Sequence, residues 1–191
     1  MGKLVVTQFV TTDGVMEDPG GSEGFERGGW AFRYERGEEG DKFKLDELTA
    51  ADALLLGRVT YEGFAAAWPE RTDDPTGFAD KMNSMPKHVV TSTERELIWQ
   101  NSHRVEGDVG EAVTRLKQEY SGDILVYGSA TLMQTLIEND LVDEYRLMVF
   151  PVLLGKGKRL FGETDGPRSL QLVEARPVGE EGVSVLTYRP A

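Results

Sequence analysis

The sequence predicts an α/β domain whose central sheet is mostly parallel and ends in antiparallel strands. Two observations carry this. Before Asp143, short apolar runs alternate with helix-like stretches, and after it the pattern changes to strands joined by turns. A run that is apolar on both faces suits a central strand covered by helices on each side, and strand, helix, strand in succession implies right-handed parallel crossovers.

Leu4 to Val10 is the first strand. Residues 17–42 follow, polar, glycine-rich and with little periodicity, a length at which a connection is usually functional or disordered. The aromatic cluster Trp30, Phe32 and Tyr34 in this stretch calls for an apolar contact, either the protein's own core or a planar ligand. Asp41 to Ala51 is helix-like, and Gly37 to Gly40 interrupts what precedes it. Leu54-Leu55-Leu56 is the next strand, and Tyr61, Phe64, Ala65 and Trp68 mark a short helix after Gly57. His88-Val89-Val90 is a third strand.

Asp108 stands three residues before Glu111 in a capping-box pattern, and Val109, Ala112, Val113, Leu116 and Tyr120 then recur on one helical face. Ile124 to Tyr127 is a strand, followed after Ser129 by Leu132, Met133, Leu136 and Ile137 at helical spacing. Beyond Asp143, Tyr145, Leu147 and Val149 alternate with Arg146, Met148 and Phe150, as in a strand covered on one side. Two more strands are expected around Leu170 to Ala175 and Val183 to Tyr188, joined by the turn-rich Pro177 to Gly182. No repeat or linker divides the chain, so a single domain over residues 1–191 is expected.

Composition narrows the functional classes. The chain has no cysteine, which excludes disulfides, thiolate metal sites and a cysteine nucleophile. Against 33 Asp and Glu stand 21 Lys and Arg, a formal charge of -12 that repels nucleic acid and anionic membranes. No apolar run approaches the roughly 18 residues that span a bilayer. The amino terminus runs straight into a strand without the features of a signal peptide, so the cytoplasm is the expected location. His88 reads as a satisfied core histidine and His103 as surface, and two isolated histidines do not make a metal site.

In an open α/β sheet, ligands bind beyond the carboxyl ends of the strands, where helix N-termini offer N–H groups and positive dipole ends. Three segments here fit that position. Gly57-Arg58-Val59-Thr60-Tyr61 turns from strand to helix, Thr91-Ser92-Thr93 ends a strand with three hydroxyls, and Tyr127-Gly128-Ser129-Ala130-Thr131 repeats the strand, glycine, helix design. Each alone is an ordinary turn or N-cap, but together they point to a dinucleotide. The G-x-G-x-x-G and G-x-x-x-x-G-K-[ST] patterns are missing, which argues against an ordinary Rossmann domain and a P-loop nucleotidase.

These segments, with Thr12-Asp13-Gly14 and Phe150-Pro151-Val152-Leu153-Leu154-Gly155-Lys156-Gly157, resemble the dihydrofolate-reductase-like reductases over nearly the whole chain. The branch most similar is the reductase domain of the bacterial bifunctional riboflavin biosynthesis protein. The resemblance implies a three-layer dihydrofolate-reductase-like fold with NADPH across the carboxyl ends of the strands. Arg58 and the Thr91, Ser92 and Thr93 run would lie near the 2′-phosphate. Gly57 and Thr60 would hold the diphosphate from one side, and Tyr127, Gly128, Ser129, Ala130, Thr131 and Leu132 from the other. Dihydrofolate reductases carry a run of glycines where this chain has Gly128-Ser129-Ala130, so whether their cis peptide is kept is an open point.

Asp13 falls at the implied edge of the substrate site and is the candidate proton donor, with an Asp-Gly turn as the alternative reading. Trp30 and Phe150 are candidate substrate contacts. Lys156, Lys158 and Arg159 form a local basic cluster that either meets an anionic substrate or is solvated. The expected function is NADPH-dependent hydride transfer to a small heterocyclic or carbonyl substrate, with a nucleotide- or ligand-binding dimeric module without turnover as the alternative. NADPH is expected to be preferred to NADH. A homodimer is expected through the carboxy-terminal antiparallel region, the strand from Tyr145 to Phe150 included. Dihydrofolate is expected to be a poor substrate, because neither Asp41, Asp46 nor Glu47 follows the family's local pattern and the charged stretch offers little apolar setting.

Overall fold

Seven of the eight residues of β1, Leu4–Thr11, are buried, so the strand is sealed on both faces and has to lie inside a sheet. In the computed structural model, which describes residues 1–191, it does. Parallel neighbours flank it on both sides, β5 (Asp123–Val126) and β6 (Glu144–Phe150). The remaining strands are β2 (Ala51–Gly57), β3 (Lys87–Val90), β4 (Ser102–Arg104), β7 (Leu170–Val178) and β8 (Val183–Pro190). They complete one eight-stranded sheet in the order β4-β3-β2-β5-β1-β6-β8-β7. Only β8 and β7 run antiparallel to their neighbours.

The period of two along each strand assigns side chains to two layers. Leu4, Val6, Leu55, Ile124 and Val126 face one way, into a cluster closed by α4 (Val109–Glu119) and α5 (Ala130–Glu138). Val5, Leu54, Leu56 and Leu125 face the other way, against α1 (Gly37–Thr49), α2 (Arg58–Ala67) and α3 (Phe78–Ser84). Each fully buried Leu or Val contributes about 1.5–3 kcal/mol of apolar transfer free energy, which makes these two layers the main stabilising term. No helix is long and apolar enough to cross a membrane.

The three-layer dihydrofolate-reductase-like architecture is as expected, and the departures from the sequence reading have local causes. The helix α1 begins at Gly37, not Asp41, because Gly37 takes a left-handed φ of 62° and Gly40 lies against the Arg36 side chain, where a Cβ would meet Arg36 Cβ at 2.7 Å. The strand β6 is covered on both faces, since residues of both alternations are buried and only Arg146 and Val149 are partly exposed. Its alternation reflects polar partners for Arg146, not a solvent-facing side, and the exposed strand is β7.

The long polar stretch is ordered around Asp18, a buried residue at φ 48° that accepts hydrogen bonds from Glu23 N (3.0 Å) and Phe25 N (3.1 Å). A short 3-10 turn, Trp30–Arg33, follows. Trp30 is sealed in a third core cluster, its Nε1 donating to Glu17 O (2.9 Å) and its ring edge-on to Phe150 at 5.4 Å. Trp30 and Phe150 are 0% and 1% exposed and present no surface to a substrate, which corrects that expectation. Of the aromatic cluster, Phe32 is the exposed member.

Candidate active site

The strands β2 and β5 are paired neighbours, Leu55 opposite Val126, and each turns directly into a helix, β2 into α2 and β5 into α5. The two turns touch. Gly57 N donates to Gly128 O (3.2 Å), and a Cβ on Gly57 would come within 2.9 Å of Ser129 N. Gly128 has φ 119°, and a Cβ there would lie 2.7 Å from Thr60 Oγ1. Both positions therefore require glycine. The Gly128–Ser129 peptide is cis, which answers the point the sequence left open.

Neither Gly57 nor Ser129 caps its helix with a side chain, so the first-turn amides of α2 and α5 remain available side by side. Two uncapped N-termini combine free N–H donors with two positive dipole ends, the arrangement that attracts phosphate. Thr60 Oγ1 is at this junction. The side chain of Leu132 is not, for it is buried in the core under α5, and only its backbone belongs to the turn.

Beside this junction, Gly57 pairs with Val90, which brings Arg58 next to the Thr91 to Thr93 turn. Thr91 Oγ1 lies 3.0 Å from Thr93 Oγ1 and accepts from Thr93 N at 3.1 Å, so this segment is a closed hydroxyl turn. Arg58 Nη1 binds Glu62 Oε2 (2.9 Å), one turn along α2, and Arg95 approaches the same carboxylate at 3.7 Å. Arg104 donates to the carbonyls of Thr93 and Arg95 and holds that loop. The sequence reading named Arg58 alone; Arg95 and Arg104, which the fold brings beside it, carry no periodic pattern that connects them to it.

At the far end of β1, Asp13 is consumed by the turn it makes. Its carboxylate accepts from Thr11 Oγ1 (2.5 Å), Leu154 N (3.3 Å) and Gly155 N (2.8 Å). Burial works to raise its pKa, but these hydrogen bonds together outweigh burial and hold the group below the ordinary aspartate value. An ionised carboxylate with its oxygens engaged has no proton to give, so the turn reading of Asp13 replaces the catalytic one. The nearby basic cluster is also spent: Lys158 pairs with Glu17 (2.9 Å), Lys156 with Glu26, and Arg159 donates to the Asp13 carbonyl.

A second polar group lies on the α1 side of the sheet. Lys44 and Glu47 of α1 form a buried ion pair, 6% and 4% exposed, against Thr7 of β1. Lys44 Nζ donates to Thr7 Oγ1 (2.7 Å), and that hydroxyl donates to Glu47 Oε1 (2.7 Å). The Lys44 ammonium is 5.0 Å from the centroid of the Tyr127 ring. Two buried atoms here have no hydrogen-bond partner, Glu47 Oε2 and the Tyr127 hydroxyl; a third, Gln8 Nε2, lies beside Gly128 on the opposite face of β1. The expectation that α1 offers a carboxylate no buried setting is thus wrong for Glu47, while Asp41 and Asp46 are exposed and paired with Arg36 and Lys42. The signal was an i, i+3 Lys–Glu pair ahead of Leu48, indistinguishable in sequence from a solvated face.

Burial lowers the pKa of Lys44, partly offset by Glu47, and burial followed by Glu47 raises that of Tyr127 well above its ordinary value. His88 is half-buried, with Nε2 2.9 Å from the Tyr120 hydroxyl, and burial followed by His103 lowers its pKa.

A mostly parallel eight-stranded sheet with antiparallel carboxy-terminal strands, and paired glycine turns at the ends of β2 and β5, define the dihydrofolate-reductase-like class. Within that class the family model of the RibD C-terminal domain matches residues 2–184, and the chain belongs to this family. It is 29% identical over 188 residues to the uncharacterized protein YyaP of Bacillus subtilis (strain 168), covering 97% of this chain and 94% of that protein. Among solved structures it resembles a putative riboflavin biosynthesis protein from Shewanella sp. PV-4, with TM-score 0.76, 22% identity and 99% of each chain covered. A dihydrofolate reductase from Enterococcus faecalis, complexed with NADP(H), shares the fold with TM-score 0.63 and 18% identity, over 99% of this chain and 96% of that one.

Proposed function

We propose that the protein is an NADPH-dependent reductase of a small heterocyclic or carbonyl compound. The observation that carries this reading is the junction of Gly57 with Gly128 and Ser129, where two uncapped helix N-termini meet over two positions that admit no Cβ. The residues fit a dinucleotide diphosphate in that cradle, with Thr60, Ser129, Ala130 and Thr131 at its edges and the Gln8 amide, a buried donor without a partner, beside Gly128. Arg58, with Arg95 behind it and the Thr91 to Thr93 hydroxyls alongside, suits a 2′-phosphate, because a guanidinium forms paired charge-assisted hydrogen bonds with phosphate oxygens. When bound, the cofactor supplies a hydride, and the protein's task is to orient the acceptor and manage one proton.

The test is a titration of NADPH and NADH against wild type and Arg58→Ala. NADPH is expected to bind more tightly, and the substitution is expected to weaken it by about 1.5–3 kcal/mol, some ten- to a hundredfold, with little effect on NADH. Equal affinities in wild type would defeat the reading. One observation favours the alternative of a binding module without turnover, namely the sequestration of Asp13. Oxidation of NADPH in the presence of cyclic imines, enones and heterocyclic carbonyl compounds separates the two.

A further inference from the structure

Lys87 begins β3 with its side chain sealed in the layer against α2 and α3, 0% exposed, and no carboxylate pairs with it. A lone buried charge is costly, so the fold has to supply what water would. It does so with carbonyl oxygens: Nζ donates to Asn83 O (2.6 Å), Met85 O (2.8 Å) and Gln100 O (3.1 Å), and the ammonium is 4.2 Å from the centroid of the Trp99 ring. The first two oxygens are orphan carbonyls at the carboxyl end of α3, which Pro86, lacking an N–H, cannot help to satisfy. The last belongs to the loop 91–101. One ammonium therefore ties the end of α3 to that loop, with every hydrogen it has in use.

That loop is one side of the proposed 2′-phosphate site. It starts with the Thr91 to Thr93 turn directly after β3 and carries Arg95 to the Glu62 carboxylate that Arg58 also holds. Further along, Trp99 N donates to the Tyr61 hydroxyl (2.9 Å) of α2, the helix that bears Arg58, and Trp99 Nε1 donates to Asn83 Oδ1 (2.8 Å). Lys87 and Trp99 are thus the joint between the sheet and the two arginines. The titratable group at this joint is Tyr61, and no charged side chain of α2, α3, β2, β4 or the loop acts on Lys87. His88 and His103 stack against each other on the opposite face of β3 and β4.

We propose that Lys87 is a positioning residue for the 2′-phosphate side of the cofactor site, a latch that holds the loop 91–101 against α3 while its amine is protonated and releases Gln100 when the proton leaves. The proposal rests on the reductase reading above, because it concerns the regulation of that same site. A neutral amine has two hydrogens and a lone pair, so it keeps two of the carbonyls and repels the other. The bond to Gln100 O is the longest, so the loop gives way and the end of α3 keeps its partners. Attraction to the Trp99 ring goes with the charge. Burial alone lowers the pKa of Lys87 to about 8, so the latch opens just above neutrality. The opening is local and is not unfolding. The unfolded chain keeps this lysine charged up to 10.5, so between about pH 8 and that value the group makes the fold more stable as pH rises.

The experiment titrates NADPH and NADH against wild type, Lys87→Met and Lys87→Arg from about pH 7 to about pH 9.5, a range in which a phosphate monoester keeps its second charge. The Lys87 13Cε resonance of the free wild-type protein is followed over the same range. NADPH affinity is expected to fall at least about fivefold with the midpoint of that resonance, while NADH affinity stays within about twofold. Lys87→Met should bind NADPH weakly at every pH, and Lys87→Arg, which keeps its charge, should show no pH dependence. Should a variant fail to fold, the wild-type profiles decide alone. A flat NADPH profile, an equal fall for NADH, a Lys87 resonance that does not titrate in this range, or a wild-type profile in Lys87→Met overturns the proposal and leaves the reductase reading intact. Equal affinities for NADPH and NADH at pH 7 overturn both.

Discussion

Arg58 shows how one side chain can be legible in sequence and still be incompletely described by it. Its place after Gly57 makes it the proposed phosphate ligand, but the Glu62 carboxylate that holds it, and that Arg95 also approaches, becomes visible only when α2 is built. A 2′-phosphate has to displace or share with that carboxylate. Glu62→Gln is therefore expected to lower the dissociation constant of NADPH by about two- to fivefold at low salt, because exposed ion pairs are worth only up to about 1 kcal/mol, and the gain should shrink as salt is added. Isothermal titration at two ionic strengths measures it, and weaker binding in the variant would place Arg58 away from the phosphate. A different carboxylate contributes to the acid limb of stability. Burial works to raise the pKa of Glu144, but Arg146 (2.7 Å) and Arg189 (2.9 Å) outweigh burial and hold it below its ordinary value of 4.5. A depressed folded-state pKa contributes stability that is present above the unfolded value and is lost as pH falls through the folded one. Urea unfolding between pH 6 and pH 3 should thus show a steep loss below about pH 4.5 in wild type and a shallower one in Glu144→Gln, which starts from a lower stability at pH 6.

At the scale of elements, the contact between two helix starts is the feature most exposed to a single methyl group. Gly57→Ala puts a Cβ within 2.9 Å of Ser129 N, closer than Cβ atoms come, so β2 and β5 have to part at their carboxyl ends. The expected result is a lower melting temperature and NADPH binding weakened by more than tenfold. Gly63→Ala, on the same helix with nothing within 4 Å, should leave NADPH binding unchanged and raise the melting temperature slightly, because alanine is favoured over glycine in a helix interior by about 0.5–1 kcal/mol. The elements that were readable in advance share a cause. Continuous apolar runs such as Leu54-Leu55-Leu56 fill central strands, and Asp108 caps α4 through Glu111 N at 3.0 Å as its spacing requires. The unreadable ones share another. The strand β4 has three residues and no buried one, so it carries no pattern, and it exists because Lys87, His88 and Val89 offer it a ladder. The start of α1 hides behind two glycines that sequence logic treats as breakers. The cluster of Thr7, Lys44, Glu47 and Tyr127 was invisible for a stronger reason: it joins residues from three elements, and its two charges look solvated until the sheet is assembled beneath them.

For the whole molecule, the two ends of the sheet differ in a way that bears on assembly. One end is β4, short and polar, with His103 exposed and Ser102 and Arg104 half-buried. The other is β7, nine residues long, in which only Val178 is buried and Leu170, Leu172 and Val173 are 37%, 52% and 47% exposed. A long apolar edge strand with a free row of N–H and C=O groups is a template for pairing, and proteins that stay monomeric usually blunt it with charge, proline or a covering loop. Pro177 stands only at the far end, and Glu174 and Arg176 neutralise each other at 2.9 Å. Antiparallel strands related by a two-fold axis pair with themselves, so a second copy is the partner that satisfies both the backbone and the apolar faces with one surface. If the chain forms the expected homodimer, β7 is the proposed edge within the carboxy-terminal antiparallel region, because β6 is already flanked by β1 and β8. Multi-angle light scattering at micromolar concentration should return twice the 21.2 kDa chain. Leu172→Lys, which puts a charge at the centre of the edge, should return one chain while leaving NADPH affinity unchanged, because β8, β6 and β1 separate β7 from the cradle on β5 and β2. A wild-type mass of a single chain would show that the edge is left open, and a dimer that survives Leu172→Lys would move the interface elsewhere.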